Sequence, residues 1–156
     1  MVAVSSLTKC YGLGAERVGW VLGPPDLIGR ASDALLASAG HLPRSHALAG
    51  CAAFAQLPAL GARSRALLEG KRERVGAWLA SKGLAWSAPV SGLFGFVTVP
   101  GAGDLTPVIE AAVTERQVIV APGAFFGTPN GFRLAWSIAS ERLDEGLERL
   151  GQALGR

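Results

Sequence analysis

The sequence is short of several residue types, and each shortage removes a class of function. Only two cysteines occur in 156 residues, Cys10 and Cys51, with no C-x-x-C pair and no His/Cys cluster. A disulfide framework and a zinc site are therefore not expected, and two free thiols suit a reducing cytoplasm. The two histidines, His41 and His46, flank a proline at a spacing that does not put both on one helix face for a shared metal. Aromatics are 7% of the chain, and Lys plus Arg number 15 against 12 for Asp plus Glu, a net charge of +3 with no basic block. Nucleic-acid binding has little to rest on. The longest run of small apolar residues, ALAGCAAFA, is far too short to span a bilayer. The first residues lack the basic stretch and apolar core of a secretory leader. The expectation is a cytoplasmic protein with neither a nucleic-acid nor a membrane partner.

What is present describes a packed domain. Hydrophobic residues make up 49% and charged residues 17%, enough apolar surface to bury a core and too little charge for disorder. RVGWVLG (17–23) reads as a short strand bounded by glycines, and PPDLIGRASDALLASA as a helix entered at Pro25 and Asp26. SHALAGCAAFAQL reads as a helix capped by Ser45 and stopped by Pro58. Leu67, Leu68, Val75, Trp78 and Leu79 recur at helical spacing, which predicts one long amphipathic helix over 61–82.

Beyond Gly83 the texture changes. LAWSAPV, GLFGFVTVP, VIVAPG and GFRLAWS are strand-like, TPNG is a turn, and LTPVIEAAVTERQ is helical. The closing SERLDEGLERLGQALG predicts an amphipathic helix capped by Ser140. Strands and helices alternate without long loops, so the class is α/β, or α+β with helices packed on one side of a small sheet. Only the end of a first strand, VAVSS, is present, as though the sheet it belongs to lay elsewhere.

The stretch SSLTKCYGLGAERVGW (5–20) carries the chemistry. Its glycines do not match a dinucleotide fingerprint, because the spacing is G-x-G-x₄-G and no full strand precedes it. Lys9 alone would be an ordinary solvated lysine. Its company is what matters: Ser6 and Thr8 stand just before it, and Arg17 follows across a glycine-rich turn. A lysine amine condenses reversibly with a carbonyl and then serves as a base. A phosphate on such a carbonyl compound would want hydroxyls and a forked guanidinium nearby. Cys10, beside Lys9, reads as incidental packing. The four tryptophans read as core and inter-domain filler.

The same stretch resembles the lysine segment of the class I/II aminotransferases, fold-type-I pyridoxal-phosphate enzymes. It matches S-x-[ST]-K-x-[YF]-G-L-x-x-x-R-x-G at every fixed position. GWVLGPPDLI is similar to that family's continuation, VSGLFGFVTVP to its small-domain strands, and VIVAPGAFFGTPNGFRLAWS to its closing strand-loop-strand. The resemblance implies that Lys9 holds pyridoxal 5'-phosphate and moves the proton at the substrate α-carbon, that Ser6 and Arg17 grip the phosphate, and that Arg133 clamps the substrate carboxylate. Tyr11 and Gly12-Leu13-Gly14 would shape the lysine loop, with Phe125 and Phe126 as loop packing. Substrates would be an amino acid and a 2-oxo acid.

The resemblance also implies parts that do not occur here. On this resemblance the chain would lack the large domain that precedes the lysine in the family, and with it the acidic partner of the pyridine nitrogen, the ring-stacking aromatic and a phosphate-binding helix start. Residues 1–40 would then be a remnant of the large cofactor-binding domain, with the lysine loop and connecting helix, and residues 41–156 the small C-terminal domain. Such a truncated chain would be catalytic only when completed, by an N-terminal half on another chain or in a homodimer. A non-catalytic remnant that binds a partner, and a decarboxylase or lyase of the same fold, are the alternatives.

Overall fold

A computed structural model describes residues 1–156. The chain divides into two compact units, Met1–Leu67 and Leu68–Arg156.

In the first unit, β1 (Ala3–Ser6) and β2 (Gly19–Leu22) form a two-stranded antiparallel ribbon in which Ser6 pairs with Gly19 and Ala3 with Leu22. Between them lies α1 (Leu7–Tyr11), a single helical turn. Ser6 caps it by accepting a hydrogen bond from the Lys9 N–H at 3.4 Å, and Gly12 ends it in the left-handed conformation at φ 71°. Three helices follow: α2 (Pro25–Ser38), α3 (Arg44–Phe54) and α4 (Leu57–Leu68). Helix α2 starts on Pro25 and Asp26 as its sequence predicts. Helix α3 is different. It starts at Arg44 after Pro43, with no side-chain cap from Ser45, because proline already sets the entry dihedral. It ends at Phe54, before Pro58, which instead occupies the first turn of α4.

The second unit carries the larger sheet, four antiparallel strands in the order β3-β4-β6-β5. These are β3 (Ala85–Trp86), β4 (Phe94–Thr98), β5 (Ala121–Pro122) and β6 (Gly131–Ala135). Helices α5 (Lys71–Ser81), α6 (Thr106–Arg116) and α7 (Ser140–Ala153) bury one face of it. Val97, Phe132, Leu134 and Trp136 meet Val75, Leu79, Ile109, Leu143, Leu147 and Leu150 in one core. The alternation that defines a half-buried strand is clean in β6, where Phe132 and Leu134 point inward while Arg133 and Ala135 are exposed. Trp86 lies over Gly95 of β4, where an added Cβ would come within 2.9 Å of the indole, and packs edge-to-face on Trp136. The fold is thus mixed α/β with a small antiparallel sheet covered by helices on one side.

The predicted helix over 61–82 is two helices. Gly70 takes φ 69°, a left-handed conformation that stops the α-helical ladder, and α4 and α5 end and begin on either side of it. Helix α7 starts at Ser140 but takes no cap from that hydroxyl. LAWSAPV and VIVAPG contribute only two paired residues each.

Candidate active site

Pairing of Ser6 with Gly19 closes the chain back on itself, so the lysine turn and the arginine loop must meet at one end of the ribbon. Two backbone bonds lock the return: the Leu7 N–H donates to the Val18 carbonyl at 3.0 Å, and the Leu13 N–H donates to the Leu7 carbonyl at 3.1 Å. Leu7 is fully buried beneath the turn. Glycine suits position 19, since a Cβ there would crowd the Ser5 carbonyl oxygen at 3.0 Å. Behind the loop, Val18 packs on Gly50 of α3, close enough that a Cβ on Gly50 would meet it at 3.3 Å. Trp20 stands edge-to-face on Phe54 of the same helix, with ring centroids 5.1 Å apart. Arg17 is held at φ 46°, a left-handed conformation rare outside glycine and asparagine.

The outcome is a cavity of about 400 Å³ lined by Ser6, Thr8, Lys9, Arg17, Val18 and Gly19. Three residues singled out in the sequence, Ser6, Lys9 and Arg17, therefore line one cavity. Lys9 and Arg17 are exposed and neither forms an ion pair. Two uncompensated cations and two hydroxyls around one cavity make a donor set for a doubly charged anion, with a primary amine at its edge. Pyridoxal phosphate, an aldehyde joined to a phosphate monoester, fits that donor set. Cys10 lies outside the cavity lining, its sulfur 3.3 Å from the Ser5 hydroxyl.

The second unit carries Arg133 at the middle of β6, opposite Phe96 on one side and Ala121 on the other. It projects from the sheet face that the helices leave open. Its guanidinium carbon stands 5.1 Å from the centroid of Phe94 and 5.1 Å from that of Phe126. Phe126 thus packs on the cation itself, a role that its place in a glycine-rich loop did not disclose. The loop is built by Gly123, Thr128 and Gly131: the Thr128 N–H donates to the Gly123 carbonyl at 3.0 Å, and the Gly131 N–H to the Thr128 carbonyl at 3.1 Å. Arg133 also lines a cavity of about 540 Å³, together with Ile109, Glu110 and Val113 of α6 and Ile119 from the segment before β5.

Residues 1–150 match the family described as aminotransferase class I and II. The chain belongs to that family. Among curated relatives of this aminotransferase-family chain, capreomycidine synthase of Streptomyces vinaceus is 29% identical over 160 residues, covering 99% of the chain and 40% of the relative. Aspartate aminotransferase of Streptomyces avermitilis is 27% identical, covering 98% of the chain and 40% of the relative. A solved pyridoxal-phosphate-dependent aminotransferase from Streptococcus suis superposes with a TM-score of 0.88 at 25% identity, over 99% of the chain and 42% of that structure. The aminotransferase-family chain thus spans about 40% of the length of the curated relatives it matches. The family is pyridoxal-phosphate-dependent. No helix is long and apolar enough to cross a membrane.

Proposed function

We propose that the chain is the C-terminal part of a pyridoxal-phosphate-dependent aminotransferase, acting on an amino acid and a 2-oxo acid once an N-terminal part completes it. The observation that carries this reading is the convergence of Ser6, Lys9 and Arg17 on one cavity. Ser6 and Arg17 hold the phosphate through hydroxyl and guanidinium donors. Lys9 holds the cofactor covalently through its amine, and afterwards takes up and returns the proton at the substrate α-carbon. When bound, pyridoxal phosphate supplies the electron sink for charge developing on that carbon. Arg133, which forms no ion pair, receives the substrate carboxylate and fixes its orientation.

Completion is part of the proposal. The β1–β2 ribbon is a sheet of two strands with both outer edges unpaired; a two-stranded sheet alone is marginal in water. Val4 and Val21 face each other across it, both exposed. A longer sheet supplied by the N-terminal part, on the same chain or another, would cover them. Residues 1–40 are then the last edge of the large domain and 41–156 the small domain, an ancestral division distinct from the contact boundary at Leu67 and Leu68. Two exposed free thiols suit a cytoplasmic location.

The test uses the three lysines as internal controls. Pyridoxal phosphate is added, trapped with borohydride, and the label mapped by mass spectrometry. Label is expected at Lys9 and lost in Lys9→Ala, with little at Lys71, which is buried. Even labelling of Lys9 and the half-buried Lys82 would sink the reading. Substrate assays on the completed protein separate amino transfer from decarboxylation or elimination, which the same residues would also serve.

A further inference from the structure

We infer that Phe94 and Phe126 are positioning residues that hold the Arg133 guanidinium ready for a carboxylate, without an acidic side chain paired to it. The inference rests on the reading of Arg133 as the carboxylate clamp. An exposed arginine on a sheet can be held in place by an aspartate or glutamate that pairs with its guanidinium. Arg133 has no ion pair and no side-chain hydrogen bond, yet it is flanked by two rings at the same 5.1 Å distance. Register explains the arrangement. Phe94 and Phe96 are two apart on β4 and share a face, and Phe96 lies directly opposite Arg133. Phe126 arrives from the turn before β6 and is braced edge-on by Phe96, with centroids 5.8 Å apart and ring planes at 82°. Three phenylalanines therefore form a cradle, and two of them touch the cation.

The choice of rings over an acid has a chemical consequence. A carboxylate tether would occupy the N–H donors and compete with any incoming carboxylate. An aromatic face attracts the cation through its quadrupole and accepts no strong hydrogen bond. The five donors stay free, and the long side chain loses its freedom before the ligand arrives, so less order has to be imposed on binding.

The experiment follows the Arg133 Nε–H resonance of the chain by NMR, assigned by its loss in Arg133→Lys, while acetate is titrated against a chloride control of equal ionic strength. In the unmodified chain the resonance is expected to carry an upfield ring-current shift and to respond saturably to acetate. Phe94→Leu and Phe126→Leu should each reduce the ring shift and raise the half-saturating acetate concentration about three- to tenfold. Phe126→Tyr should restore both. Both rings are partly exposed, so the melting temperature should hardly move, which separates positioning from folding. Loss of the ring shift with unchanged acetate affinity would overturn the positioning role. No saturable acetate response in the unmodified chain would overturn the clamp reading itself, and the inference with it.

Discussion

Gly123 has almost no space around it. A Cβ at that position would stand 2.1 Å from the Thr128 carbonyl oxygen and 2.4 Å from that of Gly131, both backbone atoms that cannot swing aside. The same turn delivers Phe126 and opens into β6, so its shape sets where Arg133 points. Gly123→Ala is expected to destabilise the chain by more than about 2 kcal/mol in urea unfolding. Gly146, inside α7, has open space where its Cβ would be. Gly146→Ala should be neutral or stabilising, by up to about 1 kcal/mol. Equal effects of the two substitutions would contradict the packing described. At this scale the gathering of Ser6, Thr8, Lys9 and Arg17 round one cavity was legible, because the four lie within twelve residues and a local turn brings them together. The setting of Arg133 was not legible. Its two rings come from a neighbouring strand and a loop, and only the β4–β6 register places Phe94 beside it. A sequence pattern does not fix register between strands so far apart in the chain.

Among the elements, α6 offers a pH-sensitive end. Asp104 precedes its first turn and accepts a hydrogen bond from the Thr106 backbone N–H at 2.8 Å. Thr106, through its side chain first and its backbone second, holds the Asp104 carboxyl below the usual aspartate value. Of the two groups, only the backbone N–H reaches hydrogen-bonding geometry, and the Thr106 hydroxyl has no partner. A carboxylate lowered in the folded state binds its proton more readily when unfolded. Its contribution is therefore present above the unfolded value and lost as pH falls through the folded one, below about pH 4. Amides of the first turn of α6 should exchange faster there than at pH 7, with the rest of the helix less affected. Asp104→Asn, which keeps an oxygen acceptor without the titration, should flatten that dependence; an unchanged profile would show that Asp104 does not anchor the turn. Elements were otherwise readable where periodicity was strong, as in α2, β4 and α7. They were misread where a single residue overrides the period. Gly70 splits the amphipathic run over 61–82 because its backbone is left-handed, and apolar spacing carries no trace of a dihedral angle. Proline, not serine, sets the entry to α3, since a fixed φ substitutes for a hydroxyl cap.

For the molecule as a whole, burial is unequally shared. The clustered core from Val75 to Leu150 lies entirely in the second unit, whereas the first unit fully or nearly buries only Leu7 and Ala53 among its apolar side chains. Apolar burial is the chief source of folding free energy, so the two units should differ widely in local stability even within one chain. Hydrogen exchange should show the slowest amides in β4, β6 and α7, and much faster exchange in β1, β2 and α2. Residues 68–156 expressed alone should still melt cooperatively, because their core does not draw on the first sixty-seven residues. Adding an N-terminal polypeptide that extends the β1–β2 ribbon should slow exchange in β1, β2 and the Lys9 turn while leaving β4 and β6 unchanged. A preformed lysine site is what gives catalysis its precision, so cofactor trapping at Lys9 should sharpen in step with that protection. Uniform protection across both units before any addition would mean that the cavity around Lys9 is already rigid, and that the chain needs no completion to hold it.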